Sequence, residues 1–266
     1  MKATVFLGGG RITNALVAGL RRAGYKRPIV VHDRHSAKLK ELKLQYRVIV
    51  ERDLRRAVEL ADLLIVAVRP ESVRELLKEI KEQQLRHRLT AVSLAAGIPL
   101  SKLQAGLGLP VRWVRAMPSP VCRSGRGLTA LAFSRGFSPS QQAPVRHLFA
   151  SVGAVAEIPE KQFDAFTVTY SSSHGYHALT TLVEAAEAIG LDRKTALMAG
   201  AHALGDSIAA WRAGNLSLKK LLKQAATPGG TAEAAIAALN HTGYGRIIKH
   251  GLRAGFRRAR KNGLRA

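Results

Sequence analysis

The stretch that decides the fold is ATVFLGGGRITNALVAGL, residues 3–20, where an apolar run meets three glycines and a helical pattern follows at once. A strand, a glycine turn and a helix within about 30 residues form the context in which such a turn predicts binding of a dinucleotide phosphate. Gly8 would allow the tight turn, and Gly10 would let the backbone approach the pyrophosphate. The N–H groups around Arg11 and Ile12 would face that anion at the helix N terminus. A glycine-rich turn without a ligand is the alternative.

One residue of this stretch departs from the usual glycine pattern. The third position of such a fingerprint normally carries Gly or Ala so that helix and strand pack closely, and here it is Thr13. Its hydroxyl is expected to bond either to a phosphate oxygen or to a preceding backbone carbonyl.

The second strand pattern, residues 28–32, is followed by the polar sequence DRHSAK at residues 33–38. A carboxylate at such a strand tip binds the ribose hydroxyls of NAD, whereas a nearby arginine accommodates the 2′-phosphate of NADP. Arg34 with Ser36 and Lys38 favours NADPH, because guanidinium binds phosphate oxygens in a bidentate manner. The alternative is NADH, with Asp33 on its ribose and a solvated basic turn beside it.

Strand and helix patterns alternate through the first half of the chain, which predicts a parallel sheet covered by helices on both faces. The expected strands cover residues 3–7, 28–32, 47–50, 63–68, 89–94, 111–115 and 128–133. After about Pro159 the patterns are helical only, over residues 164–189, 193–212, 218–226, 231–239 and from about 245 onward.

The sequence therefore predicts an α/β fold with two domains. Residues 1–159 would form a Rossmann-type dinucleotide-binding domain with a parallel sheet, and residues 160–266 an all-α dimerisation and substrate domain. The predicted helix over residues 164–189 is apolar around much of its circumference, which favours a helix-mediated homodimer.

The charge of the chain is strongly positive, with 42 Lys and Arg against 18 Asp and Glu and a net charge of +24. Such a field attracts polyanions, but the only dense basic block is the end of the chain, Arg253–Arg265. We expect a solvated tail there, with a polyanion contact as the alternative. The block contains one aromatic residue, Phe256, and not the interleaved aromatics that a stacking platform would require, so nucleic-acid binding is not expected. Removing the chain beyond Gly251 is expected to leave an enzyme nearly intact.

Several classes of protein are disfavoured by composition. No apolar run approaches the ~20 residues that span a bilayer, and the apolar run at the start is too short for a signal-peptide core. A single cysteine, Cys122, excludes an internal disulfide. No Cys/His cluster has zinc-ligand spacing, so no metal is expected. The sequence predicts a cytoplasmic protein that does not contact membranes.

Six strings, in order along nearly the whole chain, resemble those of the pyrroline-5-carboxylate reductase family. They are GGGRITNALVAGL (8–20), AVRP (67–70), VSLAAGIP (92–99), RAMPSPVCRSGRGLTAL (115–131), YSSSHGY (170–176) and TPGGTA (227–232). The resemblance implies hydride transfer from NADPH or NADH to the C=N carbon of 1-pyrroline-5-carboxylate, giving L-proline. It also implies a homodimer or larger homo-oligomer, with the substrate pocket at a dimer interface.

The resemblance also implies further site residues. Those of the cofactor site are Val68, Arg69 and Pro70 after the fourth strand, and Ala95, Ala96 and Gly97 beside the nicotinamide. In the helical domain, the turn at Gly229 and Gly230 can begin a helix with exposed N–H groups, which would hold the substrate carboxylate together with Thr231. A plain break between helices, capped by Thr231, is the alternative from the residues alone.

The sequence departs from the family pattern near the presumed chemistry. Ala232 stands where the family has a second Thr, and in YSSSHGY only Ser172 of the polar core is matched. The implied catalytic residues are therefore Thr231, Ser172 and His174, since a histidine can donate a proton near neutral pH and so replace the lost hydroxyl. A structural histidine is the alternative.

These departures, with Ser119 and Pro120 in the MPSP string, keep two other functions open. One is a related imine or carbonyl reductase with a different substrate. The other is a catalytically decayed paralogue that binds a cofactor or a polyanion.

Overall fold

A computed structural model describes residues 2–85 and 87–265 of the chain. Within these ranges the strands are β1 (Ala3–Leu7), β2 (Ile29–His32), β3 (Ile49–Val50), β4 (Ala61–Val66), β5 (Leu89–Ser93), β6 (Val111–Met117), β7 (Gly127–Phe133) and β8 (Gly153–Glu157). The helices are α1 (Arg11–Arg22), α2 (Ser36–Tyr46), α3 (Leu54–Glu59), α4 (Pro70–Glu82), α5 (Leu100–Gly106), α6 (Pro139–Ala150), α7 (Glu160–Thr169), α8 (Ser172–Ala188), α9 (Arg193–Ala213), α10 (Leu218–Ala225), α11 (Thr231–His241) and α12 (Tyr244–Arg265). A short 3₁₀ helix covers Pro120–Ser124.

The strands form one sheet in the order β3-β2-β1-β4-β5-β6-β7-β8. Every pair of neighbours is parallel except β6 and β7, which run antiparallel. The predicted Rossmann-type fold is thus confirmed, with one antiparallel pair that the sequence did not predict. Strand β8 was also missed, because its five residues are only partly buried at the edge of the sheet. The strand order reverses between β1 and β4, which is where such sheets bind ligands.

Each face of the sheet is covered by its own hydrophobic layer. Helices α3, α4 and α5 pack on one face, with Val58, Leu77 and Leu103 among the buried residues. Helices α1, α2 and α6 pack on the other face, where Leu16 and Phe149 are fully buried. The apolar residues of α1 repeat at helical spacing, so burying them fixes where its N terminus lies relative to β1.

The chain divides into two compact units, and the division differs from a simple cut between halves. The first unit comprises the chain up to Tyr170 together with the chain from Gly255 onward, and the second is Ser171–Ala254. The predicted single helix over residues 164–189 is wrong, since α7 ends at Thr169 and α8 begins at Ser172. The predicted domain boundary at residue 159 stays a prediction.

A buried arginine attaches α7 to the sheet of the first unit. Arg115 of β6 is 2% exposed and pairs with Asp164 at 2.6 Å and with Glu160 at 3.5 Å. Its guanidinium also lies 4.3 Å from the centre of the Phe163 ring. Glu160 in turn accepts a hydrogen bond from the backbone N–H of Leu100, at the start of α5. Because a buried charge is costly unless it is paired, these contacts hold α7 firmly.

The end of the chain is a packed helix rather than a solvated tail, so that expectation is wrong. Ala259 of α12 is buried, and the side-chain amide of Asn262 donates to the carbonyl of Ala96 at 3.2 Å. A Cβ atom on Gly97 would overlap the carbonyl of Ala259. Arg257 and Arg258 remain exposed, so the basic residues occupy the outer face of a helix whose small residues face the turn after β5.

The second unit consists of helices in the structure described, and its core is small. Val183 of α8 packs with Ala196 and Gly200 of α9 as the buried residues of that pair. Many large apolar side chains are left exposed, including those of Tyr176, Ile189, Met198, Ile208, Trp211, Leu218, Leu222, Ile247 and Ile248. Exposed apolar surface of this extent is typical of a protein–protein interface.

Candidate functional site

The glycine turn after β1 is built by close packing and hydrogen bonds. Gly8 has φ +109°, and a Cβ there would lie 2.7 Å from the carbonyl oxygen of Ala67. The N–H of Gly9 donates to Oδ2 of Asp33 at 2.7 Å. A Cβ on Gly10, in contrast, would meet nothing within 4 Å. The first two glycines therefore serve the protein's own packing, and Gly10 leaves open space at the start of α1.

Thr13 takes the second of the two bonds expected of it. Its side chain is fully buried, and its Oγ1 donates to the carbonyl of Gly8 at 2.5 Å. The hydroxyl thus ties the first turn of α1 to the glycine turn and satisfies a carbonyl inside the protein. This explains how the larger residue is accepted where Gly or Ala is usual.

A cleft of about 800 Å³ opens beside this turn, at the carboxyl ends of β1, β2 and β4. It brings together most of the cofactor residues predicted for the first half of the chain, namely Gly8, Gly10, Arg11, Ile12, Arg34, Val68 and Arg69. Ser36 instead lines a neighbouring depression of about 580 Å³ with Lys40 and Lys43. Pro70 begins α4, as the sequence predicted.

The N terminus of α1 fits the pyrophosphate of a dinucleotide. Gly10 occupies the N-cap position, and no side chain of the described residues caps the helix. The first N–H groups of α1 therefore face the cleft without an acidic side chain to satisfy them, and the helix dipole adds positive potential there. Arg11 at the lip of the cleft adds a full positive charge.

Asp33 stabilises the loop opposite the glycine turn. Its carboxylate accepts from the backbone N–H groups of Gly9 and His35, both at 2.7 Å, and lies 3.7 Å from Nζ of Lys38. Burial acts to raise the pKa of Asp33, but the hydrogen bonds from His35 and Gly9 outweigh it and hold the pKa below its ordinary value. Asp33 therefore remains ionised and links β2 to the glycine turn.

Arg34 has protein partners that the sequence did not predict. Its guanidinium donates to Glu79 of α4 and lies 3.8 Å from Glu75 of the same helix. Glu75 and Glu79 were missed because a pair of surface glutamates at helical spacing carries no sequence signal for a site. The predicted role of Arg34 on a 2′-phosphate stays a prediction.

The residues predicted beside the nicotinamide lie elsewhere in the first unit. Ala95 and Gly97 are buried, and the turn they form packs against α12 as described above. Ala95, Ala96 and Gly97 do not line the cleft in the structure described. Their role in cofactor binding stays a prediction.

The second unit carries the other predicted turn. Gly230 is the N-cap of α11 and Thr231 its first residue, so the alternative in which Thr231 caps the helix is wrong. Gly229 has φ +75°, and its N–H donates to Oε2 of Glu233 at 2.6 Å. Thr231 is exposed, which leaves its hydroxyl accessible. Glu233 was not predicted, although an acidic residue in the first turn of a helix is a recognisable signal.

Ser172 and His174 lie in the first turn of α8, within the second unit. Ser172 is half-buried and His174 is exposed. Beside them, the hydroxyls of Ser171 and Ser173 form a hydrogen bond of 2.7 Å. The catalytic roles of Ser172 and His174 stay predictions.

Other reactive groups and segments give no competing site in the part of the chain that the structure describes. Burial raises the pKa of the Cys122 thiol to about 11, although the nearby charge of Arg123 opposes this, so the thiol is a poor nucleophile. Among the described residues, no cluster of His, Cys, Asp and Glu is arranged to hold a metal ion. None of the described helices is long and apolar enough to cross a membrane.

Two family models match the chain, one in each half. The model described as NADP oxidoreductase, coenzyme F420-dependent, matches residues 4–97, which contain the glycine turn and the cleft. The model described as pyrroline-5-carboxylate reductase dimerisation matches residues 160–262. The second match includes the helices that leave large apolar side chains exposed.

Individual proteins match over nearly the full length. A pyrroline-5-carboxylate reductase from Mycobacterium tuberculosis is 32% identical over 271 residues, covering 92% of this chain and 91% of that protein. The solved pyrroline-5-carboxylate reductase of Coxiella burnetii has a TM-score of 0.85 at 26% identity, covering 98% of both chains. The Plasmodium falciparum pyrroline carboxylate reductase with NADP bound has a TM-score of 0.88 at 19% identity, covering 98% of both chains, and shows the shared fold. The chain is 32% identical to such a reductase over 92% of its length, and its helical half matches the dimerisation model. It therefore belongs to the pyrroline-5-carboxylate reductase family.

Proposed function

We propose that this chain reduces 1-pyrroline-5-carboxylate to L-proline with NADPH or NADH. The observation that carries the proposal is the uncapped N terminus of α1, which opens beside Gly10 on a cleft of about 800 Å³ in a member of this family. Bound NAD(P)H would supply the hydride that adds to the C=N carbon, while the ring nitrogen takes a proton to complete the amine.

The residues of the glycine turn would bind and orient the cofactor. The backbone N–H groups of Arg11 and Ile12 face the pyrophosphate in this proposal, and the Arg11 side chain adds charge. Thr13 and Asp33 hold the turn from two sides through hydrogen bonds to Gly8 and Gly9. A turn that is already fixed in place loses little entropy when the cofactor binds, which favours affinity.

The second unit would hold the substrate. The N terminus of α11 would bind the substrate carboxylate by the N–H groups of its first turn and the Thr231 hydroxyl. Gly229 and Gly230 would shape the turn before it, since their own N–H groups donate to Glu233 and Thr227. Ser172 and His174 would bind the ring nitrogen or supply its proton. An imine that arrives already protonated needs no strong general acid, so the exposed position of His174 is compatible with this role.

The same proposal includes assembly and location. The exposed apolar side chains of the second unit would be buried in a homodimer, or in a larger ring of dimers. A single buried cysteine fits the reducing cytoplasm, where we place the enzyme. The partner of the site is a small imine. We do not expect nucleic acid to bind.

The test is turnover by the purified full-length protein. We expect the absorbance of NADPH to fall only when 1-pyrroline-5-carboxylate is present, with proline appearing in equal amount. Cofactor affinity is measured alongside by fluorescence titration. Tight cofactor binding without turnover would contradict the proposed substrate, and absence of cofactor binding would contradict the proposal from the glycine turn onward.

A further inference from the structure

Arg34 connects the two sides of the ribose end of the cleft. It lines the cleft from the loop after β2, while α4 lines the same cleft through Ser72 and Leu76. Nη2 of Arg34 donates to Oε1 of Glu79, and Nη1 lies 3.8 Å from Oε2 of Glu75. Glu75 and Glu79 are four residues apart, so both carboxylates face the guanidinium from one side of the helix.

The other charged groups at this end are also paired. Lys38 lies 3.7 Å from Asp33, and the Asp33 carboxylate accepts from His35 as well. The Arg34 ion pairs are more exposed, because the Asp33 side chain is 9% exposed whereas those of Arg34, Glu75 and Glu79 are 63%, 66% and 38% exposed. Exposed ion pairs contribute little to stability, so an incoming anion can displace them.

We infer that Glu75 and Glu79 are specificity-determining residues that lower the preference for NADPH by competing with its 2′-phosphate for Arg34. A bound 2′-phosphate must share the Arg34 guanidinium with the Glu79 carboxylate that already accepts from it, and it lies near the two like charges of Glu75 and Glu79. NADH carries hydroxyls at this position and meets neither cost. The inference rests on the proposed cofactor cleft.

The experiment measures dissociation constants of NADPH and NADH for the full-length protein at fixed ionic strength, since these charges are screened by salt. In the double variant Glu75→Gln, Glu79→Gln we expect NADPH to bind about three- to tenfold more tightly, the range that one or two exposed ion pairs allow. NADH affinity should change less than about twofold on the same grounds. The ligands 2′,5′-ADP and 5′-AMP repeat the comparison at the adenosine end alone.

Glu59→Gln is the matched control. Glu59 is 57% exposed and pairs with Arg55 at helical spacing, outside the cleft. Its substitution removes one negative charge and one exposed ion pair, as each of the two substitutions beside Arg34 does, so the ratio of the two affinities should stay at the wild-type value. A ratio that rises equally in this variant would mean that net charge, rather than contact with Arg34, is responsible.

Arg34→Ala completes a double-mutant cycle. In that background the glutamate substitutions should no longer tighten NADPH binding. An unchanged ratio in the glutamate variants, or weaker NADPH binding because the glutamates position Arg34 for the phosphate, overturns the inference while leaving the proposed function intact. A wild-type protein that binds neither cofactor overturns both.

Discussion

Two glycine turns follow parallel strands at the same edge of the sheet, and their glycines have different surroundings. The turn after β1 contains Gly10, where a Cβ would enter open space in the cleft. The turn after β5 contains Gly97, where a Cβ would overlap the backbone of α12. Both turns follow apolar strands, and both were predicted to contact the cofactor. One opens on the cleft, whereas the other is covered by the last helix of the chain.

The difference shows that a glycine after a strand can indicate close approach of either a ligand or another part of the protein, and the glycine alone does not distinguish the two. At Gly97 the partner is protein, and its sequence signal lies far away in Ala259 and Gly263, four residues apart on α12. The dense arginines of the same segment obscure that spacing. The basic composition therefore correctly predicted that the outer face of the helix is charged and exposed. It did not predict that the inner face packs against the protein.

The largest effect should come from removing the helix that covers the second turn. Ending the chain at Gly251 removes the buried Ala259 and the bond from Asn262 to Ala96, and it exposes the turn after β5. We expect the free energy of unfolding to fall by at least about 3 kcal/mol, measured by urea denaturation.

Asn262→Ala serves as the limited version of this change. It removes only the hydrogen bond to Ala96, and we expect a loss of about 1 kcal/mol. If the truncated chain unfolded at the wild-type urea concentration, α12 would indeed be the dispensable tail that composition suggested.

How much the sequence could predict depends on where each signal lies. The strands that end at the cleft are short apolar runs. Strand β4 and the turn after β1 could be predicted because the signal for each lies in a few consecutive residues. The antiparallel pairing of β6 with β7 departs from the parallel order of the rest of the sheet, and the partly buried β8 has a weak local pattern. The break after Tyr170 has no Gly or Pro directly beside it, so periodicity alone joined α7 to α8.

The residues of the candidate site also differ in whether a local motif or a tertiary contact identifies them. Gly8, Gly10, Arg11 and Ile12 were predictable because one local motif carries them. The partners Glu75 and Glu79 were not, since their meeting with Arg34 requires α4 to lie beside the loop after β2. Thr13 lies between these cases, because its bond to Gly8 was one of two options and burial decided between them.

The next effect concerns the two glycines that cannot accept a side chain. Gly8→Ala and Gly97→Ala should each lower the free energy of unfolding by about 2–4 kcal/mol, since both combine a positive φ with overlap against backbone atoms. Thermal and urea unfolding measure the loss. Gly24→Ala is the control, because Gly24 has φ +70° with nothing within 4 Å of a Cβ. It should show only the conformational cost of about 1 kcal/mol, and equal losses in all three variants would remove the role assigned to close approach.

A smaller effect should follow from the carboxylate that holds the first turn. Asp33→Asn weakens the charge-assisted bonds from Gly9 and His35, and we expect a loss of about 1.5–3 kcal/mol at neutral pH. The folded-state pKa of Asp33 lies below the ordinary value of 3.8, so its stabilising contribution is present above that value and is lost as the pH falls through the folded-state pKa. Urea unfolding of both proteins at neutral pH and near pH 3 should therefore give curves that converge in acid. A constant difference at both pH values would assign the loss to packing instead.

The smallest effect on stability should come from Gly10→Ala, and this variant separates the two turns most directly. Gly10 has φ −77° and open space where the Cβ would go, so the free energy of unfolding should change by less than about 0.5 kcal/mol. The added methyl group lies where the proposed pyrophosphate approaches the backbone, so NADPH affinity should fall about tenfold or more, a cost of roughly 1.4 kcal/mol. Titration of cofactor fluorescence beside urea unfolding measures both quantities on one sample. A turn whose glycine serves a ligand loses binding without losing stability, whereas a turn whose glycine serves the fold loses stability first. Unchanged NADPH affinity in Gly10→Ala would mean that Gly10 does not serve this ligand, and the cleft beside it would then need another occupant.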